Sequence, residues 1–234
     1  MTFLASKEKG NRMRVGVVGA GRIGGNVGLQ LARSGHEVVF SFSRDADKLA
    51  RLAASSPGAR VGTPADAAAF AEVVVFAVPW TAVDDALGVM GPLDGKVVVD
   101  TTNQFGRGGV DPLPGGLSAV EFNGRRMPGA ALAKAFNTLT AGYQVSVASG
   151  EQGEVAMFFA AEDPTAIDAT RVLVEGCGFV PVHVGGWDRV ALMEAPRRPG
   201  SVYGEAYRPE DARRIAAAPL DEAARLAGEL KISA

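Results

Sequence analysis

The sequence contains very few residues of the kinds that bind metals or form disulfides. It has a single cysteine, Cys177, and two histidines, His36 and His183. One cysteine cannot form an intramolecular disulfide, and two histidines so far apart do not have the spacing of a metal site. We therefore expect neither a disulfide framework nor a metal centre.

Net charge and long apolar runs are also scarce. The formal net charge of −2 gives no electrostatic reason to expect nucleic acid or an anionic membrane as a partner. No apolar run approaches membrane-spanning length, and the stretch from Met1 to Arg12 is polar, without the apolar core of a secretory signal. We expect a cytoplasmic protein.

Glycine, in contrast, is abundant, and one cluster of it forms the motif G-A-G-R-I-G from Gly19 to Gly24. An apolar, β-branched run precedes this motif, and Ile23, Val27 and Leu31 follow at helical spacing. In such a strand–turn–helix, the glycines permit a sharp turn, a close approach to a pyrophosphate, and tight helix packing. We predict a dinucleotide site, and the alternative is a turn that binds nothing.

Apolar segments with strand and helix patterns alternate along most of the chain. After the first strand, we predict strands at residues 36–42, 60–62, 73–78, 96–100, 131–136, 154–160 and 179–183. The run from Val73 to Val78 is apolar at every position, which is typical of a parallel strand covered on both faces. The sequence therefore predicts an α/β fold, a Rossmann-type doubly wound, mostly parallel sheet with a small C-terminal helical tail.

We divide the chain into three parts. Residues 1–12 form an N-terminal extension, residues 13–184 the dinucleotide-binding Rossmann domain, and residues 185–234 a C-terminal loop and helix. The tail has an alanine-rich helical segment from Pro209 to about Leu230, but too little apolar periodicity for its own core. We expect it to pack on the domain or on a second subunit, and we expect a homodimer. Pro181 predicts an edge position for the last strand.

The end of the second strand distinguishes NAD from NADP. NAD-binding proteins usually place an acidic residue there for the ribose hydroxyls, whereas a 2′-phosphate requires hydroxyls and an arginine. This chain has the sequence S-F-S-R from Ser41 to Arg44, and Asp45 fits better as part of the next helix. We predict NADP.

Other predicted strand ends also carry residues suited to a ligand. Trp80 is placed to lie against the nicotinamide riboside or a second substrate, although ordinary packing would explain it as well. Asn103 and Asn137 each offer a donor and an acceptor to a carboxamide or a ribose. Lys134 is a candidate general acid, and a solvated or ion-paired lysine fits the pattern at least equally.

These motifs resemble those of a known family. The glycine turn, Ser43 with Arg44, the segment from Val78 to Trp80, and above all K-A-F-N-T from Lys134 to Thr138 are similar to NADPH-dependent oxidoreductases that use the deazaflavin coenzyme F420. The same domain is similar to the cytosolic part of six-transmembrane ferric reductases. The resemblance extends from Arg14 to about His183.

The resemblance implies roles for these segments. The glycine turn would hold the pyrophosphate, the serine and arginine the 2′-phosphate, and the Pro-Trp and Phe-Asn loops would surround the nicotinamide and the acceptor ring. The second strand is one residue longer here, so we expect Ser41 to share the phosphate contact or to take it over. With the strand-end residues included, the expected cofactor-binding residues are Gly19, Ala20, Gly21, Arg22, Ile23, Gly24, Ser41, Ser43, Arg44, Ala77, Val78, Pro79, Trp80, Asn103, Ala135, Phe136 and Asn137.

We therefore predict hydride transfer between NADP(H) and a planar redox acceptor, a deazaflavin or flavin. Such an acceptor needs only alignment of two rings and exclusion of water. The alternatives are reduction of a small carbonyl or imine, with Lys134 as proton donor, and a non-catalytic NADPH-sensing module. The tail, with Arg197 and Arg198, does not match the hydrophobic closing segment of the deazaflavin enzymes, which leaves the acceptor and the reaction direction open. Those arginines could bind an anion or form a solvated turn or a subunit contact.

Overall fold

The computed structural model describes residues 12–232. Of the extension predicted for residues 1–12, only Arg12 therefore lies within the described part of the chain. The elements in chain order are β1 Arg14–Val18, α1 Arg22–Arg33, β2 Glu37–Ser41, α2 Ala46–Ala54, β3 Ala59–Val61, α3 Pro64–Phe70, β4 Val73–Phe76, α4 Val83–Met90, β5 Val97–Asp100, β6 Phe105–Gly106, β7 Gly109–Val110, α5 Ala119–Gly124, β8 Ala131–Lys134, α6 Ala141–Ala148, β9 Ala156–Ala161, α7 Pro164–Gly176, β10 Val180–His183, α8 Pro209–Ala217 and α9 Leu220–Glu229.

Eight strands form one sheet in the order β10-β9-β8-β5-β4-β1-β2-β3. The six adjacent strands β8, β5, β4, β1, β2 and β3 are all parallel to their neighbours in this order. Strand β9 is antiparallel to β8, and β10 is parallel to β9. The winding direction reverses between β1 and β4, as in doubly wound dinucleotide-binding sheets. The predicted fold class is confirmed, and so is the edge position of β10, the strand that contains Pro181.

Alternation of side chains along the central strands divides the core into two layers. Val73 and Val75 of β4 pack in a cluster with residues of α1 and α7, whereas Val74 and Phe76 pack with residues of α3 and α4. Successive strand residues point to opposite faces of a sheet, so a strand covered by helices on both faces must be apolar throughout. This explains the uninterrupted apolar run in the sequence.

The C-terminal tail packs against the outer strands of the same chain. Phe158 of β9 and Val182 of β10 lie in a third apolar cluster with Tyr207, Ile215 and Leu226. The predicted single helical segment is in fact two helices, α8 and α9, because Pro219 forces an extended conformation on the residue before it. In the described range, none of the helices has both the length and the apolar character needed to cross a membrane.

Two elements were not expected from the sequence. The glycine- and proline-rich stretch after β5, residues 103–116, contains the short antiparallel hairpin of β6 and β7. Helix α6 begins after Thr140, whose side chain accepts a hydrogen bond from the backbone N–H of Tyr143 at 3.3 Å. Its β-branched valines are weak helix formers, so the sequence pattern did not indicate a helix there.

The close approach of α3 to β1 can be tested at Gly16. A Cβ atom on Gly16 would lie 2.9 Å from the carbonyl carbon of Ala67 and 3.1 Å from Cβ of Ala71. We expect Gly16→Ala to lower the free energy of unfolding by about 1–3 kcal/mol, measured by urea denaturation. Gly88→Ala is the control, because that helical position has open space around it, and alanine there should raise stability by about 0.5–1 kcal/mol. Equal effects at the two sites would contradict this account.

Candidate functional site

The glycine motif forms the turn between β1 and α1, at the point where the sheet reverses direction. Gly19 has a φ of 102°, and a Cβ atom there would lie 2.5 Å from the carbonyl oxygen of Ala77. A Cβ atom on Gly24 would lie 2.8 Å from Cβ of Ala77. The backbone N–H groups of Gly19 and Ala20 both donate to the carbonyl of Ser41, at 3.1 and 3.2 Å. The turn is therefore held between the ends of β2 and β4.

Gly21 has a different environment, because it faces open space. It is exposed, and no protein atom lies within 4 Å of the position that a Cβ atom would take. It precedes α1, whose first turn has no side-chain cap. The first N–H groups of α1, those of Arg22, Ile23 and Gly24, have no carbonyl partner within the helix and carry its positive dipole end. An anion can approach the backbone here, as a pyrophosphate site requires.

Ser41, the last residue of β2, directs its hydroxyl into the sheet. The side chain is fully buried, and Oγ donates to the carbonyl of Val17 at 2.9 Å. The next residue, Phe42, has a φ of 55°, which interrupts the strand alternation. Ser41 and Ser43 consequently do not share a face, and the hydroxyl of Ser41 is not exposed at this strand end.

The charges that follow β2 favour an anion. Arg44 is exposed and has no ion pair within residues 12–232. Asp45, in contrast, caps α2 by accepting from the N–H of Lys48 at 2.9 Å, and it lies 3.6 Å from Arg51. Its backbone N–H donates to Oγ of Ser43 at 3.1 Å. The carboxylate of Asp45 is thus engaged in contacts within α2, and the guanidinium of Arg44 is available to bind an anion.

The loop after β4 carries Trp80. The indole Nε1 donates to Oδ2 of Asp111 at 3.0 Å, and the ring lies 5.9 Å from that of Phe122 between centroids. This bond ties the end of β4 to the hairpin loop that follows β5. The other predicted residues of this strand end differ in accessibility, with Ala77 partly exposed, Pro79 exposed and Val78 buried.

Asn103 and Asn137 connect the ends of β5 and β8. Nδ2 of Asn103 donates to the carbonyl of Asn137 at 3.0 Å. Nδ2 of Asn137 donates to Oδ1 of Asn103 at 3.2 Å and to the carbonyl of Met193 in the tail at 2.9 Å. Both amide hydrogens of Asn137 are thus used, and its Oδ1 is buried with no partner in the described part of the chain.

Ala135 and Phe136 lie between these polar residues and are fully buried. The backbone of Phe136 has a φ of 59°, its carbonyl accepts from Nε2 of Gln144 at 3.0 Å, and its ring belongs to the core. The ring does not face the crevice, so only the backbone of this residue lies at the strand end. Within residues 12–232, the non-glycine residues with positive φ are Phe42 and Phe136. Phe42 directly follows β2, and Phe136 lies just after the end of β8, so both are beside the crevice.

Lys134 is fully buried at the end of β8. Its Nζ donates to the carbonyl of Thr102 and lies 3.5 Å from Oδ1 of Asp100 and 3.8 Å from Oε1 of Glu194. Burial of a lone ammonium would be costly, and the two carboxylates compensate it. The structure therefore places Lys134 in an internal ion cluster rather than on an accessible wall.

The two carboxylates of this cluster are themselves held by donors. Asp100 accepts from the N–H of Thr102 at 2.6 Å and from Nδ2 of Asn123 at 2.8 Å. Glu194 accepts from the N–H groups of Ala119 and Val120 at 3.0 and 3.3 Å, at the start of α5. The cluster consequently joins β5, β8, α5 and the tail.

Tail residues also line the crevice beyond β8, although the sequence did not indicate them. The N–H of Gly204 donates to the carbonyl of Thr138 at 2.8 Å. The ring of Tyr203 lies 6.4 Å from that of Phe105 in the hairpin, measured between centroids. Partial burial raises the pKa of Tyr203 above its ordinary value, so the phenol stays neutral. Because Asp111, Glu194, Phe105 and Tyr203 have no characteristic spacing from the motifs, no sequence signal identified them.

The tail arginines are engaged in contacts with the tail itself. Arg197 forms an ion pair with Glu205. Arg198 donates to the carbonyls of Ala191, Glu194 and Pro196. The structure thus places both side chains in contacts within the chain, a role that was not among those expected from the sequence. Within residues 12–232, no group of three or more His, Cys, Asp or Glu side chains is arranged to hold a metal.

Comparison with known proteins agrees with this geometry. Residues 14–104, which contain the glycine turn, the end of β2, Trp80 and Asn103, match the model of the family described as NADP oxidoreductase, coenzyme F420-dependent. Over those residues the chain is similar to this family. With the similarity to a solved structure described below, the match indicates an NADP-dependent oxidoreductase. The similarity to the cytosolic part of ferric reductases stays a prediction.

Solved structures resemble this oxidoreductase over most of its length. A hypothetical protein of Sinorhizobium meliloti, SMa0349, is 24% identical with a TM-score of 0.70, over 80% of this chain and 92% of that one. A protein of Arthrobacter sp. FB24, provisionally named an F420-dependent NADP reductase, is 27% identical with a TM-score of 0.63, over 76% and 87%. A reductive aminase of Aspergillus terreus, solved with NADPH4, cyclohexanone and allyl amine, is 16% identical with a TM-score of 0.53, over 76% and 56%, and shows the fold alone.

The different environments of Gly21 and Gly24 lead to opposite predictions for this NADP oxidoreductase. Gly21→Ala should leave the free energy of unfolding within about 0.5 kcal/mol, because the added methyl group meets no protein atom. It should weaken NADPH binding by about tenfold, because it occupies the space for the pyrophosphate. Gly24→Ala should instead lower stability by about 1–3 kcal/mol through its clash with the carbonyl oxygen of Gly19 and with Ala77. Urea unfolding and NADPH fluorescence titration measure the two effects, and unchanged NADPH affinity in Gly21→Ala would contradict the placement.

Proposed function

We propose that this protein transfers a hydride between NADP(H) and a planar redox acceptor, a deazaflavin or flavin. The observation that carries the proposal is the charge distribution after β2. Arg44 is exposed and without an ion pair in the described range, beside a glycine turn whose backbone is open at Gly21. An arginine and a serine suit a 2′-phosphate, and the adjacent Asp45 is occupied in capping α2.

The residues along the crevice fit NADP in three places. The first N–H groups of α1 and the open position at Gly21 would hold the pyrophosphate, and Ser43 with Arg44 would hold the 2′-phosphate. Asn103 and Asn137, at the ends of β5 and β8, would face the nicotinamide half, as would Trp80. The buried Oδ1 of Asn137 still has capacity to accept a hydrogen bond. NADPH, when bound, supplies the hydride.

The proposed acceptor follows from the side chains around the crevice. Lys134 is enclosed by Asp100 and Glu194 with no exposed surface, so it is poorly placed to give a proton to a substrate. An acceptor that carries its own electrophilic ring does not need such an acid. Accessible aromatic groups, Phe105 in the hairpin and Tyr203 in the tail, offer flat apolar contact. The provisional name of the Arthrobacter protein supports the same acceptor class.

Reduction of a small carbonyl or imine is the second candidate. The fold likeness to the reductive aminase favours it, but that likeness concerns the fold alone. A non-catalytic NADPH-sensing module is the third candidate. An NADPH oxidation assay with coenzyme F420, a flavin, a quinone, a ketone and an imine separates the three, with NADH as the cofactor control. We expect turnover with the deazaflavin or flavin. Tight NADPH binding without any consumption would instead support the sensing module.

The NADP assignment is tested at Arg44. Arg44→Ala should raise the Kd of NADPH by about tenfold or more, because a charge-assisted contact with the 2′-phosphate is lost, and should leave the Kd of NADH unchanged. Ser41→Ala is the control, since its hydroxyl bonds to Val17 inside the sheet and should not alter the preference for NADPH over NADH. Equal weakening of NADPH and NADH by Arg44→Ala would disprove the 2′-phosphate contact.

The role of Lys134 separates the first two candidates. If Lys134 is structural, Lys134→Met leaves two buried carboxylates without their cation and lowers the free energy of unfolding by about 3–5 kcal/mol. The turnover of the fraction that remains folded should stay within the same order of magnitude. Urea unfolding and single-turnover kinetics on folded protein provide the two measurements. A stable variant that has lost turnover would support Lys134 as the proton donor and therefore the carbonyl or imine reaction.

A further inference from the structure

The tail forms a closed loop next to the crevice. Its base is the hydrogen bond from the N–H of Val202 to the carbonyl of Leu192 at 2.8 Å, and Arg198 closes it inside by donating to the carbonyl of Glu194 at 3.2 Å. Met193, Glu194 and Val202 are all buried, although much of the loop between them is exposed. We refer to residues 192–202 as the tail loop. Its base is seated in the protein.

Glu194 makes the polar contacts that seat the tail loop. Its carboxylate lies 3.8 Å from Nζ of Lys134 and accepts from the N–H groups of Ala119 and Val120. A buried carboxylate contributes little net stability compared with an apolar side chain of the same size, since desolvation offsets the attraction. What it does impose is orientation, because only one position of the loop satisfies all three donors.

The position of the tail loop determines two contacts at the crevice. The carbonyl of Met193, next to Glu194, receives one amide hydrogen of Asn137 at 2.9 Å. Tyr203, which follows the loop, stands over the end of β8, because the N–H of Gly204 donates to the carbonyl of Thr138. Its ring meets that of Phe105, which is 46% exposed. The two rings come from different segments, so their distance depends on how the loop is anchored.

We propose that Glu194 is a positioning residue for the acceptor. It anchors the tail loop to Lys134, and this anchoring brings Tyr203 and Phe105 together as the acceptor-side wall of the crevice. This inference rests on the proposed hydride transfer to a planar ring. The wall is aromatic and carries no free charge from Arg197 or Arg198, which are engaged in the tail. It therefore suits the uncharged face of a flat ring system.

The experiment compares three variants of the full chain with coenzyme F420 as the acceptor probe. Glu194→Ala removes the anchor, and we expect it to raise the KM for the acceptor by about tenfold or more, because small misplacements of a binding wall are costly. The Kd of NADPH should rise much less than the acceptor KM, because the glycine turn and Arg44 are untouched and only the contact of Asn137 with Met193 is disturbed. Glu194→Gln should restore most of the acceptor KM, since its amide oxygen still accepts from Ala119. Tyr203→Ala should give the same separation of acceptor KM from NADPH affinity.

Arg208→Ala is the matched control within the tail. Arg208 donates to the carbonyls of Gln152 and Glu154 at 2.7 and 2.9 Å, and these contacts fix a part of the tail that is remote from the crevice. We expect it to lower the melting temperature without raising the acceptor KM. Equal KM increases in Arg208→Ala and Glu194→Ala would show a general structural role and overturn the proposal. So would an unchanged acceptor KM in Glu194→Ala or in Tyr203→Ala.

Hydrogen exchange provides a readout that does not require turnover. In Glu194→Ala the amide of Gly204 should exchange faster, because its bond to the carbonyl of Thr138, outside the tail loop, forms only while the loop is seated. In Arg208→Ala its exchange should be unchanged. If neither a deazaflavin nor a flavin supports NADPH consumption by the wild-type protein, the proposed function fails, and the positioning role fails with it. If turnover is present but the exchange rates are unchanged in Glu194→Ala, the anchoring alone is refuted.

Discussion

The contact between the Gly19 turn and the backbone at the end of β4 is the constraint on which the rest of the site depends. The carbonyl of Ala77 lies where a side chain on Gly19 would be, so only glycine allows β1 and β4 to end side by side. The carbonyl of Ser41 fixes the same turn from the β2 side by accepting two N–H groups. These contacts of the glycine turn determine where the crevice opens and where α1 starts. They also determine the direction in which the chain continues toward Arg44.

Within residues 12–232, the charges beside the crevice differ between its two ends. At the end of β2, Asp45 is committed to capping α2 and Arg44 is left available. At the opposite side, Lys134 is compensated by buried carboxylates and contributes no accessible positive charge. A site with this asymmetry suits a phosphate-bearing cofactor at one end and a neutral ring at the other. The buried cluster also connects the tail to the parallel sheet, so the tail is part of the site's framework.

Much of the fold could be predicted because its signals are local. β4 is apolar at each position because helices cover both faces, and Asp45 occupies a capping position that a short stretch of sequence reveals. Side-chain direction at the strand ends could not be predicted. Phe42 and Phe136 adopt positive φ values, which break the two-residue alternation, and the side chains of Ser41 and Phe136 are buried.

The sequence by itself determined the strands of the main sheet, their mostly parallel arrangement and the glycine turn. These depend on residue type and near neighbours, which the chain order specifies directly. Only the tertiary structure decided that Lys134 is enclosed, that Trp80 bonds to Asp111, and that the tail returns to the crevice through Glu194. Each of these contacts joins segments far apart in the chain, and their packing follows from the whole core rather than from any local pattern.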